Sequence, residues 1–299
     1  MLSDAFLRRL DTLALRMRHP ASGGSGGLRR SKALGSSVEF SDFREYALGD
    51  DVRRIDWNAY ARFERLFLKL FMEEQEQRVH LLLDVSASMG FEKWEAARQL
   101  VQMLGYLCLC GGDRVTAYAL GRDGAHTRPL QGRQSYPELS DFLEGLTPNG
   151  QTRLGDCVEK ISLPQGRGVT ILVSDLLSED GYDRALTSLL YRKQEVSVVQ
   201  LLAQTEWEPR LEDVVELCDS ETDEKLILSA DYDTLKRYRE TARAYVQSAH
   251  DFCLSHGVTH VFLIPQTPFE EQMLRGRGTA QVRGRAAPEQ VQNRPGYHP

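Results

Sequence analysis

From residue 78 to residue 264, short apolar runs alternate with longer stretches of helical period, and no other feature constrains the fold as much. VHLLLDV (79–85), GVTILVS (168–174), VSVVQLL (196–202) and THVFLI (259–264) are brief and apolar. That is the pattern of strands covered on both faces. Helical stretches are predicted at 91–110, about 136–145, 153–160, 180–193 and 231–255, with a last one at 268–275. Trp94, Ala97, Val101, Leu104 and Cys108 share one stripe of the first, and Gly111-Gly112 ends it. Long helical crossovers between apolar strands imply an α/β fold with a mostly parallel sheet and helices on both faces.

Two further elements read as hairpins. RVTAYAL (114–120) and TRPLQ (127–131) flank GRDG, and DVVELCD (213–219) and KLILS (225–229) flank ETDE. Upstream, Phe6, Leu10, Leu13 and Met17 give residues 1–18 a helical stripe, and LFLKLFMEE alternates as a strand does. The expected organisation is an N-terminal helix at 1–18, a Gly/Ser-rich linker at 19–38, a charged and aromatic cap at 39–77, the α/β domain at 78–275, and a disordered tail at 276–299.

Composition narrows the function. The 299 residues carry 37 Lys and Arg against 43 Asp and Glu, a net charge of −6, so the whole molecule is not built to coat nucleic acid or an anionic membrane. The arginines of the tail and the RRSK stretch leave a local nucleic-acid role as a minor alternative. No apolar run is long enough to span a bilayer, and the N-terminal residues lack a signal-peptide layout. Cys108, Cys110, Cys157, Cys218 and Cys253 are read as small apolar residues in a reducing cytoplasm. The Gly-rich segment lacks GxxxxGK[ST] and is no phosphate loop. His80 lies in a strand pattern, and Gly257 between His256 and His260 spoils a helical ligand pair.

The chemistry concentrates at strand ends, where open α/β sheets bind ligands. LLLDVSASM sets Asp84 at one such end, and GVTILVSDLL sets Asp175 at another. TPNGQTRLGD, with Thr147 and Thr152, lies between them. Carboxylates mixed with hydroxyls suit a hard cation such as Mg²⁺, which takes oxygen ligands at about 2.1 Å and keeps waters. A plainer reading makes a serine of this stretch the cap of the next helix, but a cap uses one side chain and leaves the others unexplained.

DVSAS resembles DxSxS, the opening of the metal ion-dependent adhesion site of von Willebrand factor A domains. Thr152 and Asp175 match that motif's threonine and second aspartate. The resemblance implies that Asp84, Ser86, Ser88, Thr152 and Asp175 hold Mg²⁺ (or Mn²⁺ or Ca²⁺), which then takes an acidic residue from a partner protein. It also implies a von Willebrand factor A-like, Rossmann-like sheet with an N-terminal extension and an inserted β-hairpin. Upstream, R-x-Y-x-x-G-D-D-x-R-x-I-D-W at 44–57 resembles the signature of a prokaryotic family known as domain of unknown function fifty-eight. That likeness implies a non-enzymatic adaptor or assembly factor working with a MoxR-type AAA+ ATPase.

Within the signature, Arg44, Tyr46, Asp50, Arg54, Asp56 and Trp57 are candidates for reading a partner. The plainer reading is a cap held together by its own ion pairs, with Gly49-Asp50 in a turn. The alternative function is a metal-dependent phosphohydrolase. Haloacid-dehalogenase-like enzymes place a second carboxylate two residues after the first, where this chain has Ser86. No GxSxG nucleophile elbow is read either, since the letters occur only as GGSGG (23–27) inside the Gly/Ser-rich linker.

Overall fold

A computed structural model describes residues 2–18, 34–47, 50–52, 55–72, 77–121, 123–209, 214–219, 221, 225–229, 231–265 and 269–270. The chain divides into two compact units, residues 12–77 and residues 1–11 with 78–299. The boundary falls inside the first helix, α1 (Asp4–Arg18).

The larger unit holds a six-stranded sheet. Its strands are β3 (Arg78–Asp84), β4 (Arg114–Leu120), β5 (Leu130–Gln131), β6 (Gly168–Ser174), β7 (Gln194–Leu201) and β10 (Thr259–Leu263). They lie in the order β10-β7-β6-β3-β4-β5, all parallel except β5. The connecting helices are α3 (Phe91–Cys110), α4 (Tyr136–Glu144), α5 (Leu154–Lys160), α6 (Asp183–Tyr191), α7 (Gln204–Trp207) and α8 (Tyr232–Ser255). β5 is shorter than the run TRPLQ suggests. Pro129 has no N–H to give the ladder, so regular pairing is confined to Leu130 and Gln131. The hairpin continues as an isolated bridge from Tyr118 to His126.

β3 shows why both faces must be covered. Val79, Leu81 and Leu83 point into one core with Ala97 and Val101 of α3, Leu139 and Leu143 of α4, and Phe6 of α1. Leu82, between them, points into a second core with Val158 of α5, Leu186 and Leu189 of α6, and Ala249 and Cys253 of α8. The continuous apolar run is therefore two interleaved sets. Gly105 lets α3 sit against the first core, since a Cβ there would lie 2.3 Å from Leu139 Cδ2 and 3.3 Å from Leu81 Cδ1. Gly105→Ala is expected to cost about 1–3 kcal/mol by overpacking, read as a lower denaturant midpoint at unchanged slope.

β8 (Val214–Cys218) and β9 (Lys225–Ser229) pair antiparallel as a separate two-stranded sheet between α7 and α8. Val214, Leu217, Leu226 and Ile227 on it are exposed. All five cysteines are free, but only Cys253 is buried; Cys218 is exposed on β8, because an edge hairpin leaves it uncovered.

The smaller unit contains β1 (Leu34–Glu45), antiparallel to β2 (Phe67–Met72), and the short helix α2 (Trp57–Phe63). β1 starts within the stretch read as linker; of that stretch, residues 19–33 lie outside the described residues, as does 276–299. Of the predicted 268–275 helix, only 269–270 are described, and they are helical. Among the described residues, no helix is long and apolar enough to cross a membrane.

Candidate functional site

The switch point of the sheet lies between β3 and β6, because the chain leaves β3 for β4 on one side and returns as β6 on the other. The carboxyl ends of these two strands flank the crevice where open α/β sheets take ligands. Asp84 closes β3 and Asp175 follows β6, and both are buried.

Asp84 organises the loop after its strand. Its Oδ1 accepts from the Ser86 backbone N–H at 2.9 Å, and its Oδ2 accepts from the Ser174 hydroxyl at 2.6 Å. Ser86 and Ser88 face each other with hydroxyl oxygens 2.9 Å apart. A 3-10 turn spans Ala87–Met89, and Met89 is fully buried. Neither serine makes a side-chain cap bond: Ser86 stands at the N-cap of the 3-10 turn without one, and Gly90 takes the N-cap of α3.

Thr152 reaches the site through backbone pairing of two loops. Asn149 N–H donates to Val85 O at 2.8 Å, and Ala87 N–H donates to Gly150 O at 2.9 Å. Gly150 sits at φ +63°, where a side chain would be strained. Thr152 is buried, and its hydroxyl donates to Leu120 O at 3.4 Å, a weak bond that leaves its lone pairs available. Ser178 then ties this loop to the segment after β6 by donating to Thr152 O at 3.0 Å.

Asp175 has the stronger partners. Its Oδ1 accepts from Leu177 N–H at 2.9 Å. Its Oδ2 accepts from Lys93 Nζ, also at 2.9 Å. Lys93 rises from α3, is fully buried, and bonds Glu206 Oε1 of α7 at 2.6 Å as well. Burial alone would depress the lysine, but Asp175 and Glu206 raise it above its ordinary value, so it is a cation. Leu176 holds φ +65°, unusual for a non-glycine residue, with its N–H on the Ser174 hydroxyl. The turn that aims Asp175 is thus locally strained and pinned by Ser174.

Among the described residues, Asp84 has no such counter-charge. Burial pushes its carboxyl well above the usual range, and the charge of Asp175 adds to this; hydrogen bonds from Ser174 and Ser86 act the other way. Glu221, in the turn between β8 and β9, joins the cluster. Burial raises its carboxyl, Asp175 contributes in the same direction, and hydrogen bonds from Ser88 side chain and backbone oppose. Its Oε1 is buried without a hydrogen-bond partner among the described residues.

Among the described residues, no three or more His, Cys, Asp or Glu come together to hold a metal. Any cation here would rely on hydroxyls beside carboxylates, a donor set suited to a hard, partly hydrated ion. The sequence motif pointed to Asp84, Ser86, Ser88, Thr152 and Asp175. Lys93, Ser174, Glu206 and Glu221 were not anticipated. Ser174 is the one with a local signal, since it immediately precedes Asp175; the other three arrive from helices or a turn whose placement only the fold fixes.

The signature residues in the smaller unit are engaged locally. Asp50 accepts from Ala47 N–H at 2.8 Å and pairs with Arg44 at 2.7 Å; the backbone bond to Ala47, then Arg44, holds its carboxyl below the ordinary value. Tyr46 N–H donates to Leu66 O at 2.9 Å. Asp56 caps α2, accepting from Asn58 and Ala59 N–H at 2.9 and 3.3 Å. Trp57 is 63% exposed and meets Tyr60 edge-on. Arg54 lies outside the described residues.

Residues 42–248 match the family described as protein of unknown function DUF58. The chain belongs to the DUF58 family. Among curated proteins, it is 28% identical over 225 residues to the uncharacterized proteins Mb1516 of Mycobacterium bovis and Rv1480 of Mycobacterium tuberculosis, covering 71% of this chain and 70% of each relative. Among solved structures, it resembles the conserved hypothetical protein BatB of Bacteroides thetaiotaomicron at a TM-score of 0.41 and 16% identity, covering 67% of this chain and 96% of that one. An aerotolerance-related membrane protein of Bacteroides fragilis follows at a TM-score of 0.37 and 15% identity, covering 66% and 96%. Similarity this slight carries no argument about the site.

Proposed function

We propose that this DUF58 member is a divalent-cation-dependent protein-binding module of von Willebrand factor A-like architecture, not an enzyme. Asp84, Ser86, Ser88, Thr152 and Asp175 would hold Mg²⁺, with Mn²⁺ or Ca²⁺ as substitutes, and the ion would accept a carboxylate from a partner. The observation that carries this reading is Asp84: a carboxylate buried at the switch point, beside the paired hydroxyls of Ser86 and Ser88, with no cationic side chain bonded to it among the described residues. A buried, unneutralised carboxylate is costly, and a cation would supply the missing charge. The donor set supports the same reading, since Lys93 already pairs with Asp175, so the two carboxylates and three neutral hydroxyls leave a dication short of full neutralisation. When bound, the ion would act as an electrophilic seat for an acidic side chain. The chain's own residues orient it: Ser174 and the Ser86 N–H fix Asp84, while Leu177 N–H and Lys93 fix Asp175.

The family resemblance suggests a MoxR-type AAA+ ATPase as the partner to test. Wild type is expected to bind one Mn²⁺ by titration and to capture that ATPase in Mg²⁺ but not in EDTA. Asp84→Ala should lose both while keeping its circular dichroism spectrum. At a hundredfold excess over Kd, the ion should add about 2.7 kcal/mol of stability to wild type alone. A complex that is unchanged in EDTA would remove the cation from recognition and direct attention to the exposed Trp57 and its neighbours.

A further inference from the structure

Glu221 lies far from the Asp84 loop in sequence, in the turn of the β8–β9 hairpin, yet one of its carboxyl oxygens is buried and its carboxyl lies within electrostatic reach of Ser88 and Asp175. The turn is internally braced, with Glu221 N–H donating to Asp219 Oδ1 at 2.7 Å. Val214, Leu217, Leu226 and Ile227 of the hairpin stay exposed, and the cross-strand pair Val215 and Leu228 is half-buried. Beside this partial apolar cover, Glu221 brings its carboxylate. That approach is electrostatically unfavourable as it stands: the neighbouring site already holds Asp84 and Asp175, and the one buried ammonium bonded there among the described residues, Lys93, is shared between Asp175 and Glu206. Like charges brought together in a poorly solvated place repel strongly. One Glu221 oxygen is nevertheless buried and unpartnered. A carboxylate with a buried, unpartnered oxygen beside a candidate cation ligand has the chemistry of the acidic group the site would receive.

We infer that Glu221 is an internal acidic ligand of the Asp84–Asp175 site, standing where a partner's carboxylate would bind and competing with it. This rests on the cation-dependent reading above. The hairpin would then tune affinity: a partner binds at full strength only to the fraction of molecules in which Glu221 has left Ser88. The other acidic residue described in the turn, Asp219, is engaged with the Glu221 backbone and so shapes the turn without serving as the ligand.

The test uses the full chain as wild type, Glu221→Gln and Asp84→Ala. Three quantities are measured: Mn²⁺ binding by titration, amide hydrogen exchange of residues 214–229 with and without Mn²⁺, and affinity of the Mn²⁺-loaded protein for a capped Gly-Asp-Gly peptide. The expected result is that Mn²⁺ slows hairpin exchange in wild type and not in Glu221→Gln. The variant should still bind Mn²⁺ and should hold the peptide about tenfold more tightly, within the usual range of coupling between sites. Gln keeps the size of Glu221, so altered folding is not the trivial cause, and unchanged exchange in the rest of the sheet confirms it. Asp84-dependent Mn²⁺ binding with identical hairpin exchange in wild type and Glu221→Gln overturns the inference and leaves the cation reading intact. Absence of Mn²⁺ binding in wild type overturns both.

Discussion

Lys93→Met is expected to destabilise the protein by about 3–5 kcal/mol, the effect of removing one partner from a buried ion pair. The side chain is fully buried, and its ammonium lies 2.9 Å from Asp175 Oδ2 and 2.6 Å from Glu206 Oε1. Met preserves most of the length and the apolar stem, so the loss reports charge rather than a cavity. Among the described residues, the Asp175 carboxylate would then keep only the Leu177 N–H, while its charge lies near enough to Asp84 and Glu221 to raise their pKa values. Glu206→Gln should cost much less, because the Glu206 side chain is 34% exposed and Lys93 retains Asp175. Urea denaturation at pH 7 without added divalent ions measures both. A loss below about 1 kcal/mol for Lys93→Met would mean that the ammonium is dispensable to the fold. Adding Mg²⁺ should recover more stability in this variant than in wild type if the site takes a cation, since Asp175 then has no other counter-charge among the described residues.

The same lysine shows where the sequence stops being legible. The strands of the sheet could be read because burial on both faces demands continuous apolar runs, and VHLLLDV, GVTILVS and THVFLI have few other uses. Asp84 and Asp175 could be read because polar residues interrupt those runs at the ends where ligands bind. Lys93 carries no such signal: two residues after a helix begins, an isolated lysine is ordinarily solvent-exposed, and only the crossover geometry of α3 and α7 buries it. Glu221 is harder still. ETDE reads as a polar turn, and the contact with Ser88 depends on where a two-stranded sheet outside the main one happens to lie. The cap at 39–77 was legible as a place of ion pairs, but not in its detail. Asp56 caps a helix that the sequence did not announce, because α2 is too short to show a period.

Stability should fall steeply between pH 6.5 and pH 4, and His80 and His260 should account for a large share of the slope. Burial, with a smaller contribution from Arg78, lowers the His80 imidazole to about 4; burial, with a smaller contribution from His250, lowers His260 to about 4. His80 lies beside the ring of Tyr118 at 5.9 Å, and neither of its nitrogens has a hydrogen-bond partner among the described residues. His260 bonds Gln200 Oε1 at 3.1 Å through Nε2, with the His250 ring 5.6 Å away. Both are thus folded in the neutral form. Above pH 6.5 neither state binds these protons, and stability is insensitive to them. As pH falls toward 4 the unfolded chain takes up protons that the folded protein refuses, so stability declines; below about 4 both states are protonated and the slope disappears. The loss is about 2–3 kcal/mol per histidine after allowance for residual solvation. His80→Leu should leave stability at pH 7 unchanged or improved, because it removes a buried polar ring with no hydrogen bond, and should flatten the acid limb by roughly half. Comparing denaturation midpoints of wild type and variant across this range isolates His80 from the carboxylates, which titrate in both. Parallel curves for the two proteins would place the acid sensitivity elsewhere, with the unneutralised Asp84 cluster as the next group to examine.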